Sequence, residues 1–512
     1  MKNSYVGDVL DKLWLLLRRN VWALAAFFVP LAIRSVPEVL AWPYPLGYDT
    51  ICTISFIRSG QVLAGSFTFV HYHLVYSFET LVYWLTGNIF LVLDMFGSLL
   101  MGFIAFMMYL YAKRGLGWGA FKSFLAALFV ATYFVALRNS WDLYEQSFAM
   151  IFLFAALVVF KSYSSHWRYP AMLMFMILTV LSHELVSVIL FFVLTLEAGR
   201  FLVKGFRHDF VYLSTCLVTA FSLFLFHFSL ETGSSALPLT TVAPGPSVAL
   251  SIDIIGFLLY CFVLILPLAI LGFISLKDRL LRYWVLLCIA IPFIEMVFTT
   301  SPLFYWYRWV LLLVYPLMFF AVRGLDRLWN FWSRHKNKIK SSVPKVFAIV
   351  YIAFLLVMSG AYLLATPQNQ ISYFLKDNNY LAFIPSCMDQ NSLPISDNPS
   401  LVKCFEWINN NNEDSTVVMN SQLYYYAVIC LNKITVTSLQ EPNVASNSKT
   451  ETTLSQQMVA DANTALADGN STVYTVWWVK GEGWYAISAL PTKFTEVYRS
   501  GDMAVYVFNA TA

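Results

Sequence analysis

Long apolar runs separated by short polar breaks govern the first two-thirds of the chain. Runs long enough to cross about 30 Å of hydrocarbon fall at roughly residues 16–36, 90–112, 121–137, 147–161, 169–182, 185–203, 210–230, 251–273, 283–300, 308–322 and 346–365. The pattern predicts an α-helical polytopic membrane protein with about eleven transmembrane helices. One stretch departs from it. Residues 51–87 mix apolar side chains with Arg58, Gln61, His71, His73 and Glu79, and ionisable groups are costly at membrane depth. They read as juxtamembrane helices lying along the outer interface, with Tyr72, Tyr76, Tyr83 and Trp84 as interfacial aromatics. Just before them, PYPLGYDT (43–50) forms a polar turn with a single carboxylate, Asp49.

From residue 366 the pattern changes. NNNNEDS and NVASNSKTETT are polar, whereas STVVMN, TVYTVWWV and MAVYVF have the alternating or continuous apolar character of strands. Residues 400–411 and 451–468 read as helices. The expected architecture is a transmembrane domain over 1–365 and a C-terminal α/β domain over 366–512. Asn470-Ser471-Thr472 and Asn509-Ala510-Thr511 match the N-glycosylation pattern, in keeping with an external location.

Composition agrees with a membrane protein. The 512 residues are 59% hydrophobic and 12% charged, against about a quarter charged in soluble domains. Mean hydropathy is +0.65. No cleavable signal follows Lys2, Lys12, Arg18 and Arg19, so the first segment reads as a retained anchor. No nucleic-acid partner is expected. None of the seven cysteines forms a C-x-x-C pair. Cys387, Cys404 and Cys430 fall in the polar tail, where one disulfide with one thiol left over is an open alternative.

Charge sets the orientation. With 51–87 outside, one set of loops carries Lys113, Arg114, Lys122, Lys161, Arg168, Lys204, Arg207, Lys277, Arg279 and Arg282, joined by the cluster from Arg323 to Lys345. The opposite connections carry only Arg34, Arg58, Arg138 and Arg308. The positive-inside rule then puts the amino terminus in the cytoplasm and the C-terminal domain outside.

This parity gathers the polar residues of the outer face. They are Asp49 in the first loop, His71, His73 and Glu79 after it, and Arg138, Asp142 and Glu145 in RNSWDLYEQ. His183 and Glu184 follow in LSHEL, and Tyr305, Tyr307 and Arg308 in SPLFYWYRW. Carboxylates suit a general base or a divalent cation (Mg, Mn or Zn), with His183 and Glu184 as candidate ligands. Arginine suits a lipid-borne phosphate, because its planar fork matches phosphate oxygens. Simpler roles compete. Asp49 and Asp142 fit as helix caps or first-turn charges, Arg58 and Arg138 fit as snorkelling residues, and His71 and His73 do not share a helical face.

The layout resembles the GT-C superfamily of polyprenyl-phosphate-sugar-dependent glycosyltransferases. The resemblance lies in an acidic first outer loop (Asp49 in PLGYDT), juxtamembrane helices, a second acidic outer loop (Asp142 in RNSWDLYEQ) and many spans. It is nearer the protein O-mannosyltransferase and aminoarabinose-transferase branch than the oligosaccharyltransferases, whose WWDYG-like motif is missing: Trp477-Trp478 is followed by Val479-Lys480. WDLY, LSHEL and FYWYRWVLLLVYP resemble archaeal proteins of this type. The resemblance implies an inverting transferase that moves a sugar from a polyprenyl (dolichyl) phosphate to a protein, lipid or glycan acceptor at the membrane. Asp49 and Asp142 would be catalytic. Arg308, Arg138, Tyr305, Tyr307, Glu145 and His73 would bind the lipid phosphate and sugar. The first-loop acid is single here, where many members carry a pair. A transporter or flippase, and a non-catalytic assembly or binding protein, are the alternatives from other classes.

Overall fold

The computed structural model describes residues 20–46, 50–51, 57, 74–141, 143–162, 165–231, 248–294, 306–334, 343–365, 397–411, 415–419, 421–431, 435–438, 451–468, 472–479 and 490–510. Helices lie over all eleven segments that the apolar pattern selects. Among the described residues six of them are long and apolar enough to cross a membrane, and a bent pair would make a seventh.

The first helix, α1 (Val21–Ala41), starts and ends about five residues later than the apolar run suggests. Its last two turns therefore hold Arg34 and Glu38, both buried. These stand four apart on one face and form an ion pair, which lets the helix continue past its first charge. Next comes α2 (Leu74–Thr86), a 13-residue helix about 20 Å long, too short to span. The order continues with α3 (Ile89–Leu110), α4 (Ala120–Ala131), α5 (Phe134–Asn139), α6 (Tyr144–Ser162), α7 (Arg168–Val180), α8 (Glu184–Val203) and α9 (Arg207–Glu231). A π-helical turn, Tyr111–Gly115, ends α3.

Beyond these lie α10 (Val248–Phe262), α11 (Leu266–Ser275), α12 (Arg279–Ile294), α13 (Trp306–Leu312), α14 (Val314–Arg334) and α15 (Val343–Ala365). The apolar parts of α10 and α11 meet at 88°. The closest helix crossing is α11 on α14. A Cβ on Gly272 would lie 1.7 Å from the Phe320 carbonyl oxygen, and one on Gly324 2.0 Å from that of Leu268. Two backbones in direct contact leave room for glycine alone, the small-residue packing by which membrane helices associate without a hydrophobic drive.

The two ends of the bundle differ chemically. At one end Asp278 accepts from the Tyr111 hydroxyl (2.9 Å) and pairs with Lys161, tying the ends of α3 and α6 to the start of α12. Lys122 and Arg323 share Asp326 at 2.6 and 2.7 Å, and Arg168 pairs with Asp209. Each of these basic residues belongs to the set of loops that the charge count places together. The opposite end holds the aromatic and carboxylate residues described below.

The C-terminal residues build α16 (Asn398–Asn411), β1 (Ser415–Met419), α17 (Ser421–Cys430), β2 (Thr435–Ser438), α18 (Glu451–Ala467), β3 (Thr472–Trp478), β4 (Phe494–Ser500) and β5 (Met503–Phe508). The strand order is β2-β1-β3-β5-β4. β1 runs parallel to both β2 and β3, with α17 and α18 as the crossovers that parallel pairing needs. β5 is antiparallel to β3 and β4. Val417, Val418, Val476 and Trp477 of the central strands are buried, consistent with a sheet covered on both faces. Leu401, Phe405 and Ile408 of α16 recur on one helical face and enter the same core. The Cys404 thiol is buried there, where loss of solvation pushes it up to about 12; Cys387 lies outside the described residues.

This core does not stop at the sheet. It takes in Ile51 of the first loop and Leu93 of α3, with Ile89 and Phe90 packed against it. The Tyr426 hydroxyl, buried in α17, donates to the Pro45 carbonyl at 2.9 Å across 381 positions. The C-terminal unit is thus seated on the turn that leads to Asp49.

Candidate functional site

Arg34 is the centre of the aromatic and carboxylate end. Its Nη1 donates to Glu38 Oε1 at 2.5 Å, and its Nε to Ser140 Oγ at 2.8 Å. Its guanidinium lies 3.8 Å from the centroid of the Trp141 ring. Ser140 and Trp141 form the connection from α5 to α6, immediately before Asp142. The other edge of Trp141 packs on Tyr362 of α15, with centroids 5.7 Å apart. Gly97 of α3 makes the close approach feasible, since a Cβ there would lie 2.9 Å from Arg34 Nη2 and 3.0 Å from the Ser140 carbonyl oxygen. A guanidinium with an anion, a hydroxyl and a ring face as partners is a favourable way to hold a charge at this depth.

Around that centre, contacts draw in the other loops. Tyr144 hydrogen-bonds to the Thr50 side chain and donates to the Leu93 carbonyl at 3.4 Å. Thr50 follows Asp49, and Tyr144 stands two residues after Asp142, so the two acidic loops meet through their chain neighbours. The Tyr76 hydroxyl donates to Glu145, tying α2 to the start of α6. Leu74 N donates to the Leu181 carbonyl at 2.7 Å, setting α2 on the LSHEL turn, where Ser182 and His183 are buried. Asn139 Nδ2 donates to the Leu311 carbonyl at 3.3 Å. That bond brings the end of α5, with Arg138, beside α13, which begins Trp306-Tyr307-Arg308.

Among the sequence-predicted site residues, the structure therefore places Arg138, Glu145, His183, Glu184, Tyr307 and Arg308 on helix ends joined at this rim. Asp49, His73, Asp142 and Tyr305 lie outside the described residues. His183 Nε2 and Glu184 Oε1 are 4.0 Å apart. Among the described residues no group of three or more His, Cys, Asp and Glu side chains is arranged to hold a metal.

Sequence reasoning counted Arg34 only as an outward charge and passed over Glu38 and Asp94. The available signal was their position: charges inside apolar runs are expensive unless they pair or function. Glu79, on α2, is fully buried. Loss of solvation, and then the Glu145 charge, hold its carboxyl well above the usual carboxylate range. The folded state therefore binds this proton more tightly than the unfolded chain. Its contribution to stability is complete below about pH 4.3 and is lost as pH rises toward the raised value. The Glu79→Gln variant should unfold at a temperature much less dependent on pH over that window than the wild type, measured by thermal unfolding in detergent.

Fold and geometry together define a polytopic helical membrane protein with a polar rim at one end of its bundle. Among solved structures the chain is similar to arabinofuranosyltransferase AftD from Mycobacteria, with 13% identity and a TM-score of 0.51 over 96% of this chain. It spans only 40% of AftD's length. It is also similar to ArnT from Cupriavidus metallidurans in the apo state, with 14% identity and a TM-score of 0.50 over 97% of this chain and 98% of ArnT. At such identities the likeness is one of fold alone. No family model and no curated protein sequence matches the chain.

Proposed function

We propose that this chain is a membrane glycosyltransferase, moving a sugar from a polyprenyl (dolichyl) phosphate to a protein, lipid or glycan acceptor on the non-cytoplasmic side, with inversion at the anomeric carbon. The observation that carries the reading is the junction of the two acidic loops. Thr50 and Tyr144 bond to one another above the Arg34, Ser140 and Trp141 cluster. This brings Thr50, the neighbour of Asp49 in sequence, to Tyr144, two positions after Asp142. The fold shared with AftD and ArnT supports it.

The chemistry divides by charge. One carboxylate, Asp49 or Asp142, takes the proton of an acceptor hydroxyl as its oxygen attacks the anomeric carbon. The bond from that carbon to the phosphate oxygen breaks, and its electron pair leaves with the polyprenyl phosphate. Arg308 and Arg138 stand at neighbouring helix ends to receive that developing charge. Tyr305, Tyr307, Glu145 and His73 are assigned to binding the sugar and lipid phosphate. Any divalent cation would draw on ligands beyond the described set, and no step here depends on one. The basic rim faces the cytoplasm in this reading, and the C-terminal unit lies outside. A transport site would sit near the midplane on broken helices, whereas these groups stand at helix ends.

The test is transfer from a labelled polyprenyl-phosphate sugar by the purified protein. Whichever of Asp49→Asn and Asp142→Asn removes the base should lower turnover by about 10²–10⁴-fold, the range for loss of a general base. Unchanged turnover in both variants sinks the reading.

A further inference from the structure

Between α1 and α3 lies a cavity of about 140 Å³. Its accessible surface is almost wholly apolar, Leu31 and Leu99 included, and Ser35, Glu38, Asp94 and Ser98 stand among the residues that line it. Val39, Trp42 and Met95, which also line it, are each at least half exposed on the bundle surface. Asp94 is only 4% exposed, and among the described residues neither of its carboxyl oxygens has a hydrogen-bond partner. Ser98 stands one turn further along the same face of α3, and its hydroxyl is likewise buried without a partner. A carboxyl so placed has lost its water without gaining a donor, and ionising it is costly unless a cation supplies one.

The local charges say what that is. Arg34 is engaged by Glu38, so that pair is neutral together, and ionising Asp94 adds one negative charge for which the described residues offer no partner. A single positive charge completes the set. Phosphate and other anions are disfavoured by the same count, which separates this cavity from the Arg138 and Arg308 region. A divalent cation would carry one charge too many beside Arg34. The wide apolar mouth suits a hydrocarbon chain, and Trp42 at its edge offers a ring face to a cation. We propose that this cavity binds a primary ammonium group carried on an apolar chain, as in an amine-headed lipid, with Asp94 as its counter-ion. The site is independent of the transfer chemistry proposed above.

The experiment uses the full-length protein in nonionic micelles, read by thermal unfolding. Dodecylammonium, methylammonium and dodecanol are titrated separately at concentrations below those that perturb the micelle. Dodecylammonium should raise the unfolding temperature saturably, and Asp94→Asn should weaken its apparent affinity by about tenfold or more. Ser98→Ala, which keeps the carboxylate, should retain most of the response and guards against a folding defect in the first variant. Equal stabilisation by dodecanol would reduce the site to an apolar groove, and equal stabilisation by methylammonium would make it a small-cation site. Either result overturns the proposal, as does an undiminished response in Asp94→Asn.

Discussion

Arg34→Met should destabilise the protein by about 3–5 kcal/mol, the usual loss when one member of a buried ion pair is removed. The reason is what remains: Glu38 keeps its burial and loses its cation, Ser140 loses a donor, and Trp141 loses the charge over its ring. Thermal unfolding in detergent, together with the yield of monodisperse protein, measures it. Arg34→Met combined with Glu38→Leu should recover much of the loss, because the orphaned carboxylate goes too. A single variant as stable as wild type would mean that Arg34 does not organise this rim. Since Ser140 and Trp141 lead directly into Asp142, transferase turnover should fall in the single variant more than stability alone explains.

The second large effect belongs at the helix crossing. Gly272→Ala should be destabilising by about 3 kcal/mol, at the upper end of overpacking penalties. The added Cβ meets a backbone carbonyl at 1.7 Å rather than a side chain that can rotate away. Gly324→Ala should behave alike. Gly199→Ala provides the contrast: nothing lies within 4 Å of a Cβ there, so the gain in helix propensity of up to about 1 kcal/mol should dominate. If all three substitutions shift the unfolding temperature equally, close approach of α11 and α14 is not what those glycines serve.

Much of this architecture is legible in the chain, because burying apolar residues leaves a periodic trace. The eleven helical segments could be placed from hydropathy alone. So could β1, β3 and β5, which are interior strands and therefore continuous apolar runs. The strands that escaped, β2 and β4, are the two edges of the sheet. TVTS and FTEVYRS are polar sequences, FTEVYRS is largely exposed, and polar edges guard against stray pairing. The site divides in the same way. Helix parity gathered Arg138, Glu145, His183 and Arg308 at one rim, since parity is a property of sequence order. The Arg34 to Ser140 bond spans 106 positions, and no local pattern reports a partner so distant. Asp94 escaped for the opposite reason: it has no partner among side chains, and a lone acid in an apolar helix leaves only its own improbability as a clue.

The shared core beneath the first loop has a consequence for biogenesis. Pro45 and Ile51 emerge early from the ribosome, but Tyr426 is made 381 positions after Pro45, and the sheet they rest on is completed later still. Pro45 and Ile51 therefore cannot settle into this core until that sheet has been synthesised and delivered to the same side of the bilayer. A chain stopped just after α15 would carry the helices α1 to α15 and still lack the surface on which this loop rests.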